Sequence, residues 1–361
     1  MDERWRSARR ILIIRLDNLG DVILATPAIH AIRAALPSAH LTLLASPTGA
    51  QVTPLDPDLD DVIVYRAPWM DPDHLLPQDT SREASMVALL RQRGFDGAII
   101  FTSYHQSSLP AAYLTYQAGV PLRHAASIDG PGSLLTSRHR YPDKTMHEVE
   151  RGLDLVGGIG FEPDGDNLRL EPPPAERKLA RELVQVHRRG KRPLVVIHPG
   201  CTCPSRTYPL DRYVEVARAI QRELGAQILW TGSDSDMAVV EQIRGHLSDP
   251  GVSLVGQTSL GRLAAVLAEA DLVMTNNTGP MHVAAAAKTP VVAFFALTNP
   301  PAEWHPWKVP YRLLNRPVDC AICYKRVCPI EQKCLREVPI TDVVQAASEL
   351  LSETRVEKEG A

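Results

Sequence analysis

The sequence predicts an α/β protein built from two doubly wound parallel sheets, and three observations lead there. Short aliphatic runs such as Ile11-Leu12-Ile13-Ile14 and Val195-Val196-Ile197 have the length and continuity of strands buried on both faces. Helix-compatible stretches alternate with them, as in β-α-β units. The series starts afresh near Pro193, and 361 residues exceed what one core usually covers.

In the first half, Arg10 to Leu16 reads as a buried strand and Asp17 to Asp21 as a turn. Val22, Ile23, Ala25, Ile29, Ile32 and Leu36 then fall on one helical stripe that ends at Pro37. Leu41 to Ala45, Val62 to Tyr65 and Gly97 to Phe101 are further strands, while the proline-rich stretch Pro68 to Gln78 reads as a surface loop. From Val120 to Gly160 the chain turns basic and irregular, with Arg123, His124, Arg138, His139, Arg140, Lys144 and His147. Such residues form either a solvated face or a local patch for an anionic acceptor. His147 to Gly160 closes this half as an amphipathic helix with a glycine stop.

Pro172-Pro173-Pro174 and a charged helix through Arg189 form an interdomain passage. A second α/β series follows: the strand Leu194 to His198, a cysteine-bearing loop to Tyr208, a helix from Leu210 to Leu224, and the strand Gln227 to Trp230. The expected boundaries are 1–170 for the first domain, 171–192 for the linker and connecting helix, 193–339 for the second domain, and 340–361 for a last helix. Two such domains would face one cleft.

The most informative stretch is Ala270 to Ala296. Leu272-Val273-Met274 is strand-like, Asn276 to Pro280 breaks it, and Met281 to Ala287 is small, apolar and helix-forming. Pro280 suits a first helical turn, Thr278 can cap it, and Gly279 lets a ligand approach the backbone. A helix start at a sheet's carboxyl edge offers N–H groups and a positive dipole end to phosphate. The bland alternative is ordinary punctuation in one more strand-helix unit, with His282 merely packed.

Gly20-Asp21 also has two readings. Asp21 is either a first-turn acid favoured by the helix dipole or a carboxylate at the sheet edge able to act as general base toward a hydroxyl. The GxGxxG fingerprint is absent here.

Composition removes several classes. A hydrophobic share of 44% against 22% charged belongs to an ordinary globular protein, and a net charge of −3 points to neither nucleic acid nor an anionic membrane as a general partner. There is no apolar run of the ~20 residues a span needs, and the N-terminus lacks a signal-peptide core. A cytoplasmic location is therefore expected. Arg4, Arg6, Arg9 and Arg10 suit a solvated tail or a peripheral contact at the inner face of the membrane.

The blocks ILIIRLDNLGDVILATPAIHAIRAALP, HPGCTCPSRTYP, VGQTSLGRLAAVLAEADLVMTNNTGPMHVAAAA and NPPAEWHPW together resemble the family 9 glycosyltransferases, which include the ADP-heptose:lipopolysaccharide heptosyltransferases. The likeness runs in order from Arg10 to about Leu351. It implies a GT-B architecture of two Rossmann-like domains, with the last helix packing back towards the first. It also implies transfer of a sugar, with inversion, from a nucleotide diphosphate donor such as ADP-heptose to a glycan, glycolipid or small-molecule acceptor.

By the same resemblance Asp21 is the general base, and Arg206, Thr278, Gly279, Met281 and His282 hold the donor phosphates. Gly20, Asn277, Thr231, Gly232 and Thr258 lie toward the donor sugar or nucleotide. Asn277 stands where the family often has Asp, which keeps size and hydrogen bonding but removes a charge. No cofactor and no metal are expected, since a guanidinium and a helix end would stabilise the leaving diphosphate. Cys320, Cys323, Cys328 and Cys334 form C-x2-C-x4-C-x5-C, read either as free thiols or as a structural metal site. Two other functions stay open, a non-catalytic nucleotide-sugar-binding protein and a GT-B transferase with a different donor; the acceptor and the oligomeric state stay open too.

Overall fold

The computed structural model describes residues 2–71, 73–77 and 79–360, with side chains described up to Thr354. Pro72 and Gln78 of the expected surface loop lie outside the described residues. The chain divides between Arg169 and Leu170 into two compact units, each with one six-stranded parallel sheet.

The first unit holds β1 (Arg10–Arg15), β2 (His40–Ala45), β3 (Asp61–Val64), β4 (Gly97–Ile100), β5 (Leu122–Ala126) and β6 (Ser137–His139). Its helices are α1 (Glu3–Arg6), α2 (Leu19–Ala35), α3 (Ser81–Arg93), α4 (Leu109–Gln117) and α5 (Glu148–Gly157). The strand order β3-β2-β1-β4-β5-β6 winds outward from β1 and then from β4 in the opposite direction. The reversal leaves a crevice beyond the carboxyl ends of β1 and β4, where open α/β sheets bind ligands.

Ile11 to Ile14 are at most 1% exposed, as the aliphatic run requires. The N-terminal segment is no loose tail: Trp5 is fully buried, meets Phe161 edge-on at 6.2 Å, and sits over Gly97, where a Cβ would come within 2.4 Å of the indole. Apolar burial of one large ring outweighs the pull of four arginines toward solvent.

The second unit repeats the topology with β7 (Leu194–His198), β8 (Gln227–Trp230), β9 (Val252–Ser253), β10 (Leu272–Asn276), β11 (Val291–Phe294) and β12 (Tyr311–Leu314), ordered β12-β11-β10-β7-β8-β9. Its helices are α6 (Pro174–His187), α7 (Leu210–Leu224), α8 (Met237–Arg244), α9 (Leu260–Ala268), α10 (Gly279–Ala286), α11 (Pro301–Trp304), α12 (Lys333–Arg336) and α13 (Ile340–Gly360). Here the switch point lies between β7 and β10.

The stretch 171–192, expected as linker and connecting helix, groups with the second unit, where α6 packs on α9 and buries Ala180 and Val184. Val343, Ala347 and Leu350 of α13 join the second unit's core. Strands β5 and β6 also run through the stretch read as irregular. Their apolar alternation is masked by Arg123 and His124, which are buried all the same.

Candidate functional site at two sheet edges

At the carboxyl edge of the first sheet, Arg15 ends β1 with its guanidinium 3% exposed. A buried guanidinium needs anionic partners, and three converge on it. Asp17 Oδ2 lies 3.1 Å from Nε, while Asp21 Oδ1 at 3.3 Å and Glu148 Oε2 at 3.1 Å both face Nη2. Nη2 also donates to Ser103 Oγ at 2.8 Å, and that hydroxyl donates on to Asp21 Oδ1 at 3.4 Å. Gln106 donates to Asp17 Oδ1 at 2.5 Å.

The first-turn reading of Asp21 is met in the capping of α2. Its Oδ2 accepts the Asn18 N–H at 3.1 Å, locking the start of α2, with Gly20 buried beside it in the first turn. With Oδ1 facing Arg15 and Ser103, Asp21 lines a pocket of about 250 Å³, its open mouth included, together with Phe101, Tyr141, Glu148 and Arg151 among others. Burial pushes the Glu148 carboxyl up to about 7 against the pull of Arg15 and Arg151, and raises Asp17 as well. Arg151 lies between the rings of Tyr104 and Tyr141, 3.8 and 3.9 Å from their centroids.

Most of the basic patch is structural. Arg123 donates to the carbonyls of Val120, Ser133 and Leu134, Arg138 to those of Ser127 and Ile128. His139 pairs with Asp154 at 2.7 Å. Burial lowers the His124 imidazole, which bridges Ser137 and the Leu155 carbonyl.

At the second sheet's carboxyl edge, Arg206 follows β7, Thr231 and Gly232 follow β8, Thr258 follows β9, and Asn277 to His282 follow β10. One residue that sequence reasoning passed over ties this edge together. Asn276 donates to the Pro199 carbonyl at 2.8 Å and accepts the Tyr208 N–H at 2.9 Å and the Tyr213 hydroxyl at 3.2 Å. Tyr208 stacks on Phe294 at 3.9 Å, so the loop carrying Arg206 is clamped two residues downstream. Arg206 itself donates from Nε to Thr298 Oγ1 at 2.9 Å.

Thr278 occupies the N-cap position of α10 but its side chain makes no cap hydrogen bond, since Pro280 has no N–H to offer; the Thr278 N–H turns back to the Asn276 carbonyl at 2.8 Å. The Met281 N–H is likewise held by the Thr278 carbonyl at 3.0 Å. Among the described residues, Thr278 Oγ1 and His282 Nδ1 are buried polar atoms without a hydrogen-bond partner, an arrangement that calls for a ligand or water. Burial, with the charges of His305 and Arg206, lowers His282 to about 3, so its ring is neutral at physiological pH.

The Asn277 side chain is engaged within the protein. Its amide donates to Asn299 Oδ1 at 3.2 Å and its oxygen accepts the Ala296 N–H at 3.2 Å, so the side chain braces the loop after β11. Gly200 and Gly232 are needed because Asp236 fills the space over them: a Cβ would meet its carboxylate at 2.5 Å and its Cβ at 2.9 Å respectively. Thr231 Oγ1 lies 3.1 Å from His198 Nδ1. The six cysteines, among them Cys320, Cys323, Cys328 and Cys334, are free thiols, and among the described residues no three His, Cys, Asp or Glu side chains are disposed around a metal.

Comparison with known proteins places the fold and the chemistry. Lipopolysaccharide heptosyltransferase 3 of Escherichia coli K12 is 25% identical over 354 residues, covering 92% of this chain and 96% of that protein. The solved glycosyl transferase family 9 protein of Veillonella parvula superposes with a TM-score of 0.77 at 24% identity, covering 96% of this chain and 97% of that one. The E. coli ADP-heptose lps heptosyltransferase II gives 0.74 at 20% identity, covering 96% and 99%. Both solved folds are GT-B, which fits the paired switch-point sheets. The family model of glycosyltransferase family 9 (heptosyltransferase) matches residues 84–334, and on that span, well over half the sequence, this chain belongs to glycosyltransferase family 9 and is a glycosyltransferase.

Proposed function

We propose that this protein transfers heptose from ADP-heptose, with inversion at the anomeric carbon, to a hydroxyl of a lipopolysaccharide-type acceptor. The observation that carries the reading is the carboxylate of Asp21, fixed through Oδ2 by the Asn18 N–H and lining a pocket at the carboxyl edge of the sheet. A base at the switch point of a sheet can take the proton of an acceptor hydroxyl as the oxygen attacks.

The leaving ADP is stabilised by Arg206, the Thr278 hydroxyl, the His282 ring and the amino end of α10, where the Gly279 backbone lets the diphosphate approach closely. Thr231, Gly232 and Thr258, on the flanking loops of the same edge, supply contacts to sugar or nucleotide. The reaction proceeds without a metal, since these donors match the developing negative charge. The names of the similar proteins support ADP-heptose and lipopolysaccharide. A lipid-anchored acceptor implies a peripheral contact at the cytoplasmic face of the membrane; no described helix is long and apolar enough to cross it.

The test is thermal stabilisation by ADP, GDP, UDP, dTDP and ADP-heptose, each with EDTA and then with magnesium. Ligands that bind the native state raise its melting temperature by mass action. The reading expects a shift selective for ADP and ADP-heptose that survives EDTA. A shift selective for another base, or one that appears with magnesium alone, would replace the donor or the metal-free mechanism.

A further inference from the structure

The cluster around Arg15 carries more anionic groups than its cations can satisfy. Three carboxylates, Asp17, Asp21 and Glu148, lie within 3.3 Å of one guanidinium. The two hydrogens of Nη2 face three acceptors, Asp21, Ser103 and Glu148. The second nearby cation, Arg151, reaches Glu148 Oε1 at 3.2 Å but is held between Tyr104 and Tyr141. One extra proton would balance three acids against two guanidinium groups.

The geometry decides which acid holds it. Besides Arg15, Asp17 accepts from Gln106 and Asp21 from Asn18 and Ser103, whereas Glu148 accepts from Arg15 through Oε2 alone, its buried Oε1 lying 3.2 Å from Arg151 Nε without an aligned hydrogen bond. Glu148 is also the most enclosed of the three acids, its side chain 3% exposed against 8% for Asp17 and 16% for Asp21. A carboxyl so placed favours its neutral form.

We propose that Glu148 is a positioning residue for Asp21, holding a proton in the resting site and, by its ionisation, setting through Arg15 how readily Asp21 takes the acceptor's proton. The proposal rests on Asp21 being the general base. With Glu148 neutral, the Arg15 guanidinium is shared by Asp17 and Asp21. With Glu148 ionised, Nη2 is drawn toward it, which frees Asp21 Oδ1 to accept the hydrogen of the acceptor hydroxyl. During transfer the acceptor oxygen bonds to the anomeric carbon as the bond to the ADP oxygen breaks. The hydroxyl proton passes to Asp21, which returns it to solvent when the product leaves, so the step balances with Glu148 in either state. The groups that face Glu148 are Arg15 from β1, Asp17 and Asp21 from the turn and helix after it, and Arg151 and Tyr141 from α5 and the segment before it.

The test is the pH dependence of kcat for ADP release from ADP-heptose with a heptose-deficient lipopolysaccharide acceptor. The wild-type rate is expected to rise about tenfold through the ionisation of Glu148, near pH 7. Glu148→Gln, which mimics the protonated acid, is expected to flatten the profile at the low plateau with KM and melting temperature little changed, and Glu148→Asp to restore a sloping limb. A folded Glu148→Gln enzyme that keeps the wild-type limb overturns the proposal. Should that variant not fold, pH-difference infrared spectra of wild-type protein labelled with ¹³C-glutamate decide: a label-shifted protonated-carboxyl band that titrates near neutrality supports it, and absence of the band overturns it. If Asp21→Asn retains full turnover, the assignment of the base has failed. If Asp21→Asn is inactive while Glu148→Gln keeps the limb, this inference alone has failed.

Discussion

The side-chain oxygen of Asn276 accepts the backbone N–H of Tyr208 at 2.9 Å, joining the end of β10 to the loop that carries Arg206. The same amide also holds Pro199 and Tyr213, so three segments of the donor edge depend on one buried residue.

Asn276→Ala leaves the Tyr208 N–H and the Pro199 carbonyl without their partner. Loss of these bonds in a buried setting costs about 2–4 kcal/mol, read as a lower urea midpoint. Weaker ADP binding should accompany it, because Arg206 loses its anchor. Unchanged stability would mean that the loop is held from elsewhere.

Arg206→Ala removes the guanidinium assigned to the leaving diphosphate. The expected loss in kcat/KM is on the order of 10²–10³, measured by ADP release. Arg206→Lys should recover part of it, since charge returns without the Nε bond to Thr298. A variant within a few-fold of wild type would remove Arg206 from the phosphate site.

Two buried histidines set an acid limit on the second unit. Burial lowers His198 to about 4 and His282 to about 3 from the ordinary 6.5. Below the ordinary value the unfolded chain takes up protons that the folded one refuses, so stability falls as pH drops from 6.5 toward 4. The slope approaches about 1 kcal/mol per pH unit for each histidine. His282→Gln should halve this contribution in urea titrations at successive pH values, and an identical slope would contradict the burial of a neutral ring.

Gly97→Ala tests the seating of Trp5. The added methyl would lie 2.4 Å from the indole, and relieving that overlap costs about 1–3 kcal/mol. In combination with Trp5→Leu the loss should be less than additive. Full additivity in denaturant titrations would show that the two do not touch.

The sheets were legible because fully buried parallel strands read as unbroken aliphatic runs, as in Ile11 to Ile14 and Leu194 to Ile197. Strands β5 and β12 were not, because Arg123, His124 and Arg312 interrupt their apolar character while bonding to backbone or acidic partners. Arg206 was reached through the family resemblance alone, whereas Asp21 and the turn at Thr278 were visible as local signals at the ends of strands. Glu148 was not, since it reads as an ordinary first-turn acid and meets Arg15 from 133 residues away. The signal that pointed to it lay in the partner: an arginine closing an aliphatic strand must find carboxylates somewhere. The bracing of Ala296 and Asn299 by Asn277 was not legible either, because it depends on tertiary placement.

The central claim is that Asp21 is the base of a heptosyl transfer, and Asp21→Asn tests it most directly, because asparagine still accepts the Asn18 N–H that starts α2. ADP release from ADP-heptose in the presence of heptose-deficient lipopolysaccharide should fall by about 10²–10⁴, with the ADP-induced thermal shift retained. A variant that binds ADP and transfers at close to the wild-type rate would contradict the account.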